Sequence, residues 1–184
     1  MLTTIANYKV TSDWYYIIVA TILIDCVVLY LTRYPGPDPF FKVDALNKWY
    51  DEFGLVAAVS DVLSLLIGIA AARYIYTAAG LQGPLLFIAC ILLFQLFHDI
   101  FFYVAVIRTL PQGENKMIDV FKSYAEENGA KILGADAAML VASAFAAAFL
   151  KGVPFHYTVS VGLVTIYAMT YLLYTRHTRG IRGI

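Results

Sequence analysis

Five stretches of the chain are long and apolar enough to cross a bilayer, and most of the charged residues fall between them. A crossing helix needs about 20 predominantly apolar residues at about 1.5 Å rise each. The pattern predicts spans over residues 14–31, 53–76, 84–107, 132–150 and 155–174. Trp14, Tyr15 and Tyr16 open the first span and Tyr30 and Tyr34 close it, as an interfacial aromatic belt does. Beyond it, Pro35-Gly36-Pro37-Asp38-Pro39 cannot be helix and reads as extended, polyproline-like chain. Residues 43–52 read as a short interfacial helix with Trp49 and Tyr50 at headgroup depth. Gly80, Gly83 and Pro84 make a tight turn. In the longest polar stretch, 108–131, Met117, Phe121 and Tyr124 recur at helical spacing beside Ile118 and Ala125, with charges on the other side. That pattern predicts an amphipathic helix on the membrane surface, ended by Asn128-Gly129. Gly152 and Pro154 turn the chain into the fifth span. The expected fold is therefore all-α. It is a single membrane domain, residues 1–184, of about five transmembrane helices with an amphipathic interfacial helix between spans three and four.

Composition agrees. Of 184 residues 61% are hydrophobic and 14% charged, whereas charged residues make up about a quarter of soluble domains. Cys26 and Cys90 lie in apolar runs and form no CxxC, so they read as packing residues rather than a redox or zinc motif. The first apolar run lacks a small-residue cleavage site and reads as a retained span. Net charge is zero, but its distribution is informative. Lys9, Arg73 and Lys151 fall on the side of the N-terminus, and the other ten of the thirteen Lys and Arg fall on the opposite side. The positive-inside rule then places the N-terminus outside and the C-terminus inside. The basic tail, with Arg176, Arg179 and Arg182, reads as part of that anchor, and no specific nucleic-acid binding is expected.

Chemistry enters through the polar residues inside the spans. Gln95, His98 and Asp99 share one face of span three. Asp25, Asp61, Asp99 and Asp136 come from four different spans, and each lies near the inner end of its span. Helical rise puts them about 6–12 Å from that boundary. An ionised side chain in hydrocarbon costs on the order of 2–3 kcal/mol even on the mildest scale. Such a layer would hold a divalent cation, relay protons, or form a packing network in which the acids pair with His98, Gln95, Ser60, Ser64 or backbone carbonyls. Asp136 also suits a first-turn acid at the start of its helix. His156 falls on the other side and cannot join the layer. No phosphate loop, Ser/His/Asp constellation or HExxH is present, so no catalytic residue and no cofactor are assigned.

Two spans carry small residues every four positions: Ser60, Ser64, Gly68 and Ala72 in one, Gly134, Ala138, Ala142 and Ala146 in the other. Small residues let helix backbones approach in lipid. These ridges are expected to pack inside the bundle or to mediate self-association or contact with a protein partner, with Ala144 turned toward lipid.

The stretch NKWYDEFGLVAAVSDVLSLLIGIAAARYIY, residues 47–76, resembles a segment of uncharacterised multispanning membrane proteins of large icosahedral DNA viruses of algae and protists. The resemblance implies a protein of the membrane beneath a capsid, or of host membranes recruited during assembly. It implies no active residues. The first function expected is a structural or assembly protein whose polar inner loops, residues 33–52 and 108–131, grip a protein partner; the alternatives are a small transporter, channel or proton-coupled carrier using Asp25, Asp61, His98 and Asp99, and an intramembrane metal-dependent enzyme. An internal repeat would favour the transporter. None stands out along the chain, and five spans divide awkwardly into two.

Overall fold

The computed structural model describes residues 2–34 and 41–175. Among these residues the chain is helical and has no strands. A 3-10 turn, Leu2–Ile5, precedes α1 (Asp13–Arg33), α2 (Asp44–Phe53), α3 (Leu55–Ala78), α4 (Pro84–Phe102), α5 (Lys116–Asn128), α6 (Lys131–Lys151) and α7 (Phe155–Tyr174). A π turn, Tyr103–Ile107, prolongs α4, so that the third span covers Pro84–Ile107. Among the described residues five helices are long and apolar enough to cross a membrane: α1, α3, α4 with its π turn, α6 and α7. The all-α bundle expected from the sequence is thus the one found. The Pro-Gly-Pro loop and the basic tail lie outside the described residues.

Local chemistry explains the breaks. Asn115 caps α5, its side-chain oxygen accepting from the amides of Met117 (2.9 Å) and Ile118 (3.3 Å). Pro84 opens α4, where its missing N–H has no helical partner to lose. Gly54 (φ 51°, ψ −122°) and Gly129 (φ 54°, ψ −136°) each join a short amphipathic helix to a span, in a backbone conformation left to glycine.

α1 is central. It packs along α6 and α7 and also touches α3 and α2, whereas α4 lies at the edge against α3 and α6. α2 and α5 pack on each other as a collar across one end of the bundle. The N-terminal segment covers the other end. One apolar cluster fills the N-terminal half, around Ile17, Ile69, Phe87, Ile91 and Leu140. A second lies under the collar, around Leu29, Trp49, Tyr50, Val120 and Leu173. Outward faces are equally apolar: Leu93 is 68% exposed and Leu163 67%. Water would penalise that surface, and hydrocarbon does not.

Candidate functional site

Four of the five spans bring a carboxylate to the half of the bundle next to the collar. Asp25 on α1 is fully buried, and neither of its oxygens has a hydrogen-bond partner. Asp61 on α3 accepts from the indole N–H of Trp49 on α2, 3.1 and 3.2 Å from its two oxygens, and the Tyr50 phenol is within its electrostatic reach. Asp99 on α4 accepts through Oδ1 from the Gln95 amide (2.6 Å) and lies 3.1 Å from Nδ1 of His98, while its Oδ2 is buried without a partner. The His98 ring stacks between Phe94 and Phe102. Asp136, half-buried in the first turns of α6, is within electrostatic reach of Asp61 and Asp99. Asp25 stands in the same relation to Asp61.

Tyr50 and Tyr124, on the collar helices, form part of the roof. Burial first, and then the nearby carboxylates, push both phenols well above the usual tyrosine range. Both are therefore neutral hydrogen-bond donors at physiological pH. None of the four carboxylates is ion-paired with a lysine or arginine among the described residues. Nor does any group of three or more His, Cys, Asp or Glu among those residues lie where it could hold a metal ion.

The partners differ in part from those expected. Gln95 and His98 do reach Asp99, but the Ser64 hydroxyl donates to the backbone carbonyl of Asp61 (3.1 Å), not to a carboxylate. The sequence pattern makes Trp49 and Tyr50 interfacial anchors and Tyr124 part of the apolar side of a surface helix. Nothing in the pattern announces that the collar folds back over the acids. The glycine that ends each collar helix just before a span is the one signal that could have raised it.

The small-residue ridges also divide. On α3, Gly68 and Ala72 are buried, Ser60 is half-buried and Ser64 exposed. A Cβ on Gly68 would come within 3.0 and 3.1 Å of the two Leu140 methyls. On α6, Gly134 and Ala138 are exposed, and Ala142 and Ala146 are half-buried. The buried face is Leu140, Ser143, Ala144, Ala147 and Ala148, nearly opposite the expected ridge at about 100° per residue. Ala144, expected toward lipid, is 1% exposed. The rule that small residues mark the contact still holds, through Ser143–Ala147 and Ala144–Ala148, while lipid takes the bulky Phe145 and Phe149.

A second polar centre, absent from the sequence expectations, lies at the N-terminal end. Arg73 is fully buried. Its Nη2 donates to the carbonyls of Asn7 (2.6 Å) and Val10 (2.9 Å) and lies 3.5 Å from Asp13, and its guanidinium sits 5.0 Å from the Trp14 ring centroid. Lys151 pairs with Asp13 at 2.5 Å and donates to the Thr4 carbonyl.

The fold and these two polar centres define an all-helical bundle of the multispanning membrane class. The chain matches no protein-family model, no curated protein and no solved structure.

Proposed function

We propose that the protein is a small proton-linked membrane carrier whose acid layer holds and releases the protons, with the collar end facing the cytosol or a topologically equivalent space. The observation that carries this reading is Asp25. A carboxyl group removed from water, with no hydrogen bond to either oxygen and another carboxyl beside it, is far cheaper to keep neutral than ionised. Binding a proton is what makes that site stable. The orientation rests on the uneven distribution of Lys and Arg. The test is proton flux into proteoliposomes under an imposed potential. Wild-type protein should carry a flux that Asp25→Asn abolishes. Equal flux in both, or none above empty liposomes, rejects the reading.

A structural or assembly role is the second reading. It is favoured by an open groove at the collar, lined by Lys48, Glu52, Phe53, Lys116 and Asp119, which offers a protein partner both signs of charge. The resemblance of residues 47–76 would place that partner beneath a viral capsid. Cross-linking at Lys48 and Lys116 in the source membrane should then capture one discrete protein, lost in Lys48→Glu with Lys116→Glu.

A further inference from the structure

The two glycines that join the collar to the spans share one backbone conformation, and they also share a sequence register. The shift that carries Gly54 onto Gly129 carries Asp44 onto Asp119, Glu52 onto Glu127, Asp61 onto Asp136 and Leu65 onto Leu140. It also sets Trp49 on Tyr124, and Arg33 on Arg108 at the ends of spans one and three. A shift one residue shorter carries Asp25 onto Asp99 and buried Thr21 onto buried Gln95. The missing residue is accounted for. The π turn Tyr103–Ile107 lies between Asp99 and Arg108, and a π turn is a one-residue insertion in an α-helix.

Packing obeys the same exchange. α1 packs on α6, and its counterpart α4 packs on α3, the counterpart of α6. α2 packs on its own counterpart, α5, and does so antiparallel. Lys42, just before α2, exchanges two hydrogen bonds with Asn128 at the end of α5, and the Ala45 amide donates to Glu127. At the other end of the pair, Glu52 and Phe53 share a groove with Lys116 and Asp119. Two helices lying in the membrane plane become antiparallel neighbours when a two-fold axis along the membrane normal relates them. Leu65 and Leu140, equivalent residues, meet in one core cluster. Parallel repeats about such an axis are an established transporter architecture, with the site at the repeat interface. Here α7 has no counterpart, which is why counting spans hides the pairing.

We infer that the chain is a tandem duplication of a span–collar helix–span unit, and that Asp25, Asp61, Asp136 and Asp99 form, in that order, one row centred on its two-fold axis, a single proton-binding site. The inference rests on the proposed reading that the layer holds protons. Electrostatic neighbours run Asp25 to Asp61, Asp61 to Asp136 and Asp136 to Asp99, an order that reads the same from either end. The inner pair, Asp61 and Asp136, lies under the equivalent aromatics Trp49 and Tyr124. The outer pair, Asp25 and Asp99, holds the buried oxygens that have no partner. The remaining titratable groups at the layer are Cys26 beside Asp25, Tyr50 on α2, His98 on α4 and Glu127 near Tyr124 on α5. Among the described residues none is a lysine or arginine, so a buried acid without a hydrogen-bond partner, such as Asp25, is neutralised by binding a proton from water at a carboxyl oxygen.

The test is infrared spectroscopy of the purified full-length protein in nanodiscs at neutral pH, read at the carbonyl stretch of protonated carboxyl groups. A band that shifts in D2O is expected. Asp61→Asn and Asp136→Asn should remove comparable shares of it, and Asp25→Asn should reduce it as well. No deuterium-sensitive band in the folded wild-type protein overturns the proton site and the reading beneath it. A band reduced by Asp61→Asn but untouched by Asp136→Asn overturns the symmetric row and leaves the proton reading standing. Disulfides test the duplication without touching the acids. With Cys26 and Cys90 replaced by serine, Gly68→Cys with Leu140→Cys should oxidise readily, because the two positions are in contact. The equivalent pair, Leu65→Cys with Ser143→Cys, should oxidise to the same extent. Closure of the first pair alone overturns the duplication.

Discussion

The two ends of the bundle handle buried charge in opposite ways. At the N-terminal end, Arg73 meets Asp13, two backbone carbonyls and the face of Trp14, and Lys151 closes on the same carboxylate. Acid and base are buried together, and the N-terminal segment is pinned across three helices by the result. Next to the collar, four carboxylates gather with an indole, phenols, an amide and one imidazole, but with no lysine or arginine among the described residues. A charge-compensated cluster of the first kind acts as a clamp: removing one partner strands the others. An uncompensated cluster can exist in a low dielectric only by binding something positive. The contrast separates a charge-compensated polar centre from an uncompensated one, and mutation can break it at either end.

The largest effect is expected at the clamp. Arg73→Met leaves Asp13 facing Lys151 alone and takes one of two hydrogen bonds from each of the Asn7 and Val10 carbonyls. Breaking a buried pair on one side costs about 3–5 kcal/mol. Thermal unfolding in detergent should show a large downward shift for Arg73→Met. A shift no larger than that of an exposed substitution such as Lys48→Met would mean that Arg73 is not a clamp.

Next come the glycines. Gly54→Ala and Gly129→Ala each force a side chain into a backbone region that costs about 1–3 kcal/mol. A Cβ at Gly54 meets the Tyr174 hydroxyl at an ordinary 3.5 Å and one at Gly129 meets nothing, so backbone strain alone sets both costs. The two substitutions should therefore lower stability equally, and unequal shifts would speak against equivalent joints. Gly68→Ala presses on Leu140, which is fully buried and cannot withdraw, at about 1–3 kcal/mol. Gly134→Ala meets open space and should stabilise by up to about 1 kcal/mol. Ala144→Leu should cost more than Ala142→Leu, the reverse of the order expected from the ridge.

Some of this was legible along the chain and some could not be. The five spans and both amphipathic helices follow from lengths of apolar sequence and from turn residues such as Gly83-Pro84, which act locally. The inward face of α6 does not. Lipid and protein interior are equally apolar, so periodicity marks no side of an alanine-rich helix, and only its neighbours select Leu140 and Ala144 over Ala138 and Ala142. The clamp is not legible along the chain, because in sequence Arg73 and Lys151 are indistinguishable from topological charges, and Asp13 sits just before the first aromatic belt. The repeat was hidden by low identity and by the one-residue slip at the π turn. Of the acid layer, the carboxylates and Gln95–His98–Asp99 are visible as polar residues in apolar runs. The roof of Trp49, Tyr50 and Tyr124 depends on how the collar folds back, which is tertiary.

The smallest effect on folding is expected in the acid layer, and that smallness is the point of the contrast. In Asp61→Asn the side-chain oxygen still accepts from the Trp49 indole. In Asp99→Asn the oxygen still accepts from Gln95. Asp25→Asn breaks no hydrogen bond, because neither oxygen has one. If the acids are neutral, each substitution exchanges one neutral polar group for another of nearly the same shape. Stability should then change by about 1 kcal/mol or less. If instead they are ionised, the amide removes a buried charge and its repulsion from the neighbouring acids, and the protein should become markedly more stable. Thermal unfolding thus separates the two states by sign and size. Asp13→Asn, the same chemical change at the clamp, provides the scale, since it strips Arg73 and Lys151 of their shared counter-charge. Small shifts for the layer beside a large loss for Asp13→Asn, together with lost proton flux, would place structure at one end and function at the other. A loss for Asp25→Asn as large as that for Asp13→Asn would make both ends clamps.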